Sequence, residues 1–358
     1  VVASLALSVA LTVMVASFRS GVINWLTTAL PADLYARSSG NAAAADQAWL
    51  PPSFADHAAA LPGVQRVQAL RAVPLSLAPG RPAVSLIAQP LARPVLAVPL
   101  VGPAITARPG EIGVYVSEAV VALYGSTPGS QITLPLGGQA VQVRVLGVWR
   151  DYARQFGAIT IDDADYRRLT GDTRINDLAL WLTPGTEPAT VQNTLRALLP
   201  DPTMLDFASS AELRKLSLRI FDRSFAVTYY LQVVAIAIGL IGIAASLSAQ
   251  VLARRKEFGL LSHLGLTRGQ IIGVVAGEGA AWVAAGTLVG LLLGLAVSVV
   301  LVDVVNPQSF HWTMDMVIPW GRLLALCVAV LLAGTATAAL SARSAAARQA
   351  VLSVKEDW

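Results

Sequence analysis

Apolar residues in this chain gather into four long runs, separated by stretches of quite different composition. The runs occupy 1–18, 226–252, 271–302 and 320–342, and the first meets no charge before Arg19. About 20 apolar residues in a helix cross the hydrocarbon of a bilayer, so each run predicts a transmembrane helix. The first lacks the basic lead-in and small-residue cleavage site of a signal peptide and is read as a span. It opens at Val1 without an initiator Met, which suggests a fragment with a clipped first helix. The third run is long for one crossing and is expected to tilt or to extend past the hydrocarbon.

Between the first two runs, residues 19–210 hold most of the prolines and acidic residues and read as a folded aqueous domain. Strand-like alternation over 64–70 and 141–146 is separated by turn chemistry at Pro128-Gly129, Gly137-Gly138 and Pro184-Gly185. Helices are predicted at 117–123, 162–169 and 190–199, the last capped by Thr190 with Val191, Leu195 and Leu198 on one face. The segment 211–225 is amphipathic, with Leu213, Leu216, Ile220 and Phe221 among its apolar positions, and it enters the second run without a breaker. It reads as a stalk that carries motion, or alternatively as a simple interfacial helix. The predicted fold class is therefore a membrane α-helical protein of four spans with a large α+β domain inserted between helices 1 and 2.

Charge sets the sides. Arg254, Arg255, Lys256 and Arg268 flank the 253–270 loop, and Arg343, Arg348 and Lys355 lie in the 343–358 tail. The 303–319 loop has Asp303 and Asp315 but no Lys or Arg. The positive-inside rule then puts 253–270 and the tail in the cytoplasm and the large domain outside it. Trp312 and Trp320 suit an outer aromatic belt.

Only 13% of the 358 residues are charged, against about 25% in a soluble domain, and 55% are hydrophobic. That excludes an ordinary soluble enzyme and a disordered chain. The net charge is +4, but no basic block interleaves with aromatics, which argues against nucleic acid. The single cysteine, Cys327, has no intrachain partner for a disulfide.

Catalytic patterns are absent. Lys215, Lys256 and Lys355 follow Arg, Arg and Val, so no GxxxxGK[ST] phosphate loop exists. The histidines His57, His263 and His311 are far apart, without zinc-ligand spacing, and no GxSxG motif occurs. Asp162, Asp163 and Asp165 read as helix N-terminal charges rather than paired catalytic carboxylates. No catalytic residue, metal ligand or cofactor is assigned to the chain.

Three signals remain. The third run carries Gly273, Gly277, Gly286, Gly290 and Gly294, small residues that let another helix approach closely, although glycine is also simply frequent in membrane helices. At their nearest the two groups point within about 60°, so one broad face is expected to serve both. Glu278 sits in the same run and reads as a paired structural carboxylate, with Arg268 or the headgroups as partner, ahead of a substrate or proton role. Gln232 suggests an interhelical hydrogen bond. The 253–270 loop starts basic, then places Phe258, Leu261 and Leu264 at helical spacing before Gly265 as a stop, as a short helix on the inner surface would. Such a helix docks a partner or rests on lipid.

With these residues in view, the chain resembles the FtsX-like ABC transporter permeases related to MacB-type and lipoprotein-releasing permeases. The loop residues Arg255-Lys-Glu-Phe-Gly-Leu-Leu261, Leu264-Gly265 and Arg268-Gly-Gln-Ile271 are similar to that family's signature between its second and third membrane helices. Leu216–Phe225 resembles its stalk, 116–124 and Leu146-Gly-Val-Trp149 its periplasmic core, and 343–348 its cytoplasmic ending.

The resemblance implies a permease without its own ATPase, partnered by a separate ATP-binding subunit that carries the ATP, and by a second permease half in a pseudo-dimer. It assigns ATPase coupling to Arg255, Lys256, Glu257, Phe258, Gly259, Leu261, Leu264 and Gly265. It also implies the bacterial inner membrane, contact with membrane lipid, a periplasmic partner, and the C-terminal half of a longer duplicated permease. Export or extraction of a lipid, lipoprotein or hydrophobic compound is the expected function. The alternatives are signalling to a periplasmic cell-wall hydrolase or envelope sensor, and a membrane-anchored binding module, against which the coupling loop counts.

Overall fold

The computed structural model describes residues 2–38, 49–91, 98–199, 205–254, 257 and 265–356. The chain divides into two compact units, one of Val1–Ser20, Phe221–Val305 and Met314–Trp358, the other of Gly21–Ile220 and Asn306–Thr313.

Helix α1 (Val2–Ala29) comes first. The α/β unit then runs through β1 (Leu34–Ser38), α2 (Pro52–Ala59), β2 (Val64–Leu75), β3 (Val84–Gln89) and β4 (Gly113–Ser117). It continues through α3 (Glu118–Tyr124), β5 (Gln131–Leu136), β6 (Gln139–Trp149), β7 (Ala158–Asp162) and α4 (Asp163–Thr170), and closes with β8 (Asp177–Leu182), α5 (Pro188–Ala197) and β9 (Leu205–Ser209). The strands form one mixed sheet in the order β5-β6-β4-β7-β3-β2-β8-β1-β9. Among the described residues, only β3–β7 and β4–β6 pair in parallel.

Strand β2 holds the sheet together by changing partner. Its residues from Val64 to Leu70 pair with β8, and those from Arg71 to Leu75 pair with β3. Each side has its own core. Leu86, Val114, Leu134, Val145, Ile159 and Ile161 pack with Val120 and Tyr166 on one side, and Leu34, Leu178 and Leu180 pack with Phe54, Val191 and Leu195 on the other. The partner switch leaves backbone groups to satisfy, and Asn176 does so: its Oδ1 accepts from Ala72 N and its N–H donates to Leu70 O, both at 2.9 Å.

Arg71, only 4% exposed, donates to Asn176 Oδ1 and to Asp172 at 2.9 Å each. Asp172 also accepts from Arg174 and from the Tyr166 hydroxyl. Burial pushes the Asp172 carboxyl up, but the hydrogen bonds from Arg174 and Arg71 outweigh it and hold the group well below the usual carboxylate range. Burial raises the Tyr35 phenol in β1 to about 12.

Of the three predicted helices in this unit, α3 and α4 form where expected. Asp162 caps α4 by accepting from Ala164 N at 3.0 Å, and Asp163 and Asp165 pair with Arg167 and Arg168. The acidic cluster is thus spent on the helix start. Helix α5 begins two residues before the expected cap, at Pro188, with Glu187 rather than Thr190 in the N-cap position. The fixed φ and missing N–H of proline suit a first helical position. Leu198 lies past the end of α5 and is 44% exposed, so it does not share the buried face of Val191 and Leu195.

The other unit contains most of α1, most of α6 (Ser210–Ala253), α7 (Arg268–Val300), which runs into a π-helical turn at Leu301–Val305, and α9 (Trp320–Glu356); the short α8 (Asn306–Phe310) belongs with the sheet. Among the described residues, four segments are long and apolar enough to cross a membrane: Val2–Ala29, Ser210–Gln250, Ile272–Phe310 and Trp320–Leu340. Helix α1 does not stop at residue 18. It runs to Ala29 because no breaker intervenes before Pro31, whose ring disfavours helix in the residue ahead of it. The helix that begins at Trp320 likewise continues through the expected tail, to Glu356.

Candidate functional site

The 253–270 loop is described only in part. Arg255, Lys256, Phe258, Gly259, Leu261 and Leu264 lie outside the described residues. Glu257 and Gly265 lie within them. Glu257 accepts from Arg254 Nε at 2.8 Å, and the same guanidinium reaches Glu278 on α7 at 2.7 Å. Glu278 is therefore a paired carboxylate, and its partner is Arg254. The partners expected from the sequence were Arg268 or the headgroups, and Arg254 was not among them. Gly265 turns at φ +93°, a backbone region that glycine enters freely. Thr267 then opens α7 with a reciprocal capping box to Gln270, so the return from the loop has a defined start.

Glycines mark the close helix contacts. A Cβ built on Gly290 would stand 3.1 Å from Leu5 Cβ, and one on Gly294 would stand 2.6 Å from Val9 Cβ and 2.8 Å from Ala6 O. Gly290 and Gly294 thus face α1. Gly273 and Gly277 meet no described heavy atom within 4 Å of that position. Among the described residues, α1 lies against Gly290 and Gly294 and not within 4 Å of the Cβ position of Gly273 or Gly277. For Gly286 the structure gives burial alone, which is intermediate.

Two glycines outside the predicted set do the same work. Gly239 on α6 faces Ser4, and Gly334 on α9 faces Val283, with built Cβ contacts of 2.9 and 2.7 Å. Neither sits in a GxxxG pair, so spacing carried no signal for them. Gln232 makes the expected interhelical bonds, donating to Ser8 O and Thr12 Oγ1 at 3.2 Å each.

On α6, Phe221 is buried and stacks on Phe18 and Phe225 at centroid distances of 5.0 and 4.5 Å. Beside it Arg19 pairs with Asp222 at 2.5 Å. Leu213 is half-buried, whereas Leu216 and Ile220 are 52% and 59% exposed. Of the four stalk positions, Phe221 alone is fully packed. Among the described residues no group of three or more His, Cys, Asp or Glu is placed to hold a metal ion.

Comparison with known proteins bears on the membrane half first. Residues 231–350 match the model of the FtsX-like permease C-terminal region. An uncharacterized ABC transporter permease protein of Mycobacterium tuberculosis is 31% identical over 223 residues, which make up 62% of this chain and 26% of that protein. The chain spans about a quarter of the length of this curated relative. Two solved structures are similar to it. One is the periplasmic region of MacB from Actinobacillus actinomycetemcomitans, at 12% identity over 53% of this chain and 94% of that one, with a TM-score of 0.38. The other is the extracellular domain of the noncanonic ABC-type transporter YknZ from Gram-positive bacteria, at 15% identity over 50% and 98%, with a TM-score of 0.34. The chain is a multi-pass membrane protein that is similar to an ABC transporter permease, and its residues 231–350 match the FtsX-like permease C-terminal region.

Proposed function

We propose that this chain is a permease unit driven by a separate ATP-binding subunit, which docks at the cytoplasmic face on the 253–270 loop. The observation that carries the reading is the FtsX-like match over 231–350, since it contains that loop and the apolar helices on both sides of it. The loop's excess of Arg and Lys and the acidic 303–319 segment support the orientation, with the α/β domain extracytoplasmic.

In this reading Arg255, Lys256, Glu257, Phe258, Gly259, Leu261, Leu264 and Gly265 receive the ATPase. Arg254, bonded to both Glu257 and Glu278, ties the start of the loop to α7. Helix α6 is an unbroken 44 residues, about 66 Å at 1.5 Å per residue, so displacement of its inner end has one helix to travel along. Leu213, Leu216, Ile220 and Phe221 lie in its outer turns. Gly273 and Gly277, which meet no described atom within 4 Å, suit close approach of a second permease unit. The cargo class is a lipid, lipoprotein or hydrophobic compound handled at the outer face of the bacterial inner membrane.

The test is co-purification with a co-expressed ATP-binding subunit. Leu261→Asp places a charge on the apolar side of the predicted coupling helix and is expected to reduce recovery of the ATPase at least about tenfold, the equivalent of one lost apolar anchor. Glu257→Ala is expected to reduce it less. Recovery unchanged in both variants rejects the docking role. Cysteines placed in 115–130 should label from outside the cell membrane, and labelling from the cytoplasm alone inverts the orientation.

A further inference from the structure

The segment Asn306–Thr313 sits in sequence between two membrane helices, yet it belongs to the compact unit of the sheet. Thr313 explains why, because each of its polar groups is engaged there. Its N–H donates to Glu118 Oε2 at 3.2 Å and its hydroxyl donates to Glu118 Oε1 at 2.5 Å. The same hydroxyl accepts from Arg150 Nη2 at 2.9 Å, and the Thr313 carbonyl accepts from the Tyr152 hydroxyl at 3.1 Å. Arg150 and Glu118 are ion-paired at 3.6 Å, with side chains only 18% and 10% exposed.

Neighbouring groups close around this contact. Trp312 meets the Tyr152 ring edge-on at 4.6 Å, and its carbonyl accepts from Asn306 Nδ2 at 2.9 Å, which ties off the turn. Tyr152 in turn meets Trp25 on α1 at 5.9 Å and has room because position 21 is glycine: a Cβ there would stand 2.8 Å from its hydroxyl.

We propose that Glu118 is a positioning residue that clasps Thr313, so that the turn joining the third and fourth membrane helices moves with the sheet domain as one body. Glu118 stands at the first position of α3, where a carboxylate already suits the helix dipole; its two oxygens leave the helix to grip Thr313. A turn held only by its own chain would not need an acid on a distant strand–helix junction. The consequence is mechanical. In sequence the chain passes between the two units within α1, within α6, after Val305 and before Met314, and the clasp fixes to which unit the last of these stretches belongs. The part this attachment plays in transport rests on the permease reading above; the contact itself does not.

Hydrogen exchange of the full chain in nanodiscs tests it. Without nucleotide, Glu118→Ala and Thr313→Val are each expected to speed exchange of 306–313 at least about tenfold, as loss of charge-assisted hydrogen bonds does. The double variant should be no faster than the quicker single one, and Thr313→Ser should restore slow exchange. A purely helix-stabilising Glu118 would instead deprotect α3 and leave Thr313→Val silent. That pattern, or exchange of 306–313 within twofold of wild type in both variants, overturns the clasp. With the ATP-binding subunit bound, ATP should change exchange of α3 and of 306–313 in step in the wild type, and of only one of them in Thr313→Val. Unequal changes in the wild type overturn the one-body proposal. If ATP changes neither, the transporter reading falls, while the nucleotide-free arm still decides the contact.

Discussion

Substituting Gly294 by alanine probes the tightest contact between α1 and α7. The added Cβ would lie 2.6 Å from Val9 Cβ, 2.8 Å from Val9 Cγ1 and 2.8 Å from the Ala6 carbonyl oxygen. Carbon atoms rest at about 3.5–4.0 Å, so the two helices must part by about 1 Å at this point. No rotamer change relieves the clash, because a backbone oxygen and a Cβ are the obstacles. Overpacking of this kind costs about 1–3 kcal/mol. Alanine regains up to about 1 kcal/mol of helix propensity over glycine, which leaves a net loss of about 1–2 kcal/mol. For a unit of this size that is a fall in Tm of about 2–8 °C. Gly277→Ala is the control: nothing described lies within 4 Å of its Cβ position, so it keeps the propensity gain and meets no clash. Gly290→Ala, with nearest contacts of 3.1–3.2 Å, should fall between them. The assay is thermal unfolding of the full chain in detergent, followed by far-ultraviolet circular dichroism. If Gly294→Ala melts at or above Gly277→Ala, α1 does not pack on that stripe and the reasoning fails.

Other consequences follow from the same structure. The depressed Asp172 carboxyl stabilises the sheet domain fully above the ordinary carboxylate value of 3.8 and loses this as pH falls toward its lower folded value. Wild type should therefore lose more Tm between pH 5 and pH 3, as about two units of acidification, than Asp172→Asn does, and parallel curves would contradict the pairing. Arg71→Ala, which strips the buried partner from Asp172, is expected to cost about 3–5 kcal/mol in denaturant unfolding. In the β5–β6 turn, Gly137→Ala drives a Cβ onto Leu169 O at φ +56°, whereas Gly138→Ala at φ +78° meets nothing. The first should lower stability by about 2 kcal/mol more than the second, measured the same way. Gln232→Leu removes two interhelical bonds and should cost only about 1.2 kcal/mol, at about 0.6 kcal/mol each, since such bonds are weak in membranes; a loss above about 2 kcal/mol would give Gln232 a larger role.

Much of the architecture was legible from one dimension. Membrane spans announce themselves because lipid demands long uninterrupted apolar helices, and the four runs coincide with four such helices. The acidic start of α4 and the Gly137-Gly138 turn were equally readable, because both are local chemistry in which the residues that decide the structure are neighbours in the chain. The ends of elements were less so: α1 ran on to Ala29 and α5 began at Pro188, because the apolar pattern by itself does not mark helix ends and the prolines at 31 and 188 do.

What sequence could not reach was partnership across distance. The two glycine groups of α7 look alike in spacing, yet only Gly290 and Gly294 have α1 against them, and Gly334 had no pattern at all. Glu278 was expected to meet Arg268 or the headgroups, and Arg254 bonds to it. The bond from Glu118 to Thr313 joins residues 195 positions apart. Composition and periodicity report how each residue meets its own helix, strand or solvent. Which side chains meet each other is set by how the elements pack, and that is a property of the folded chain alone.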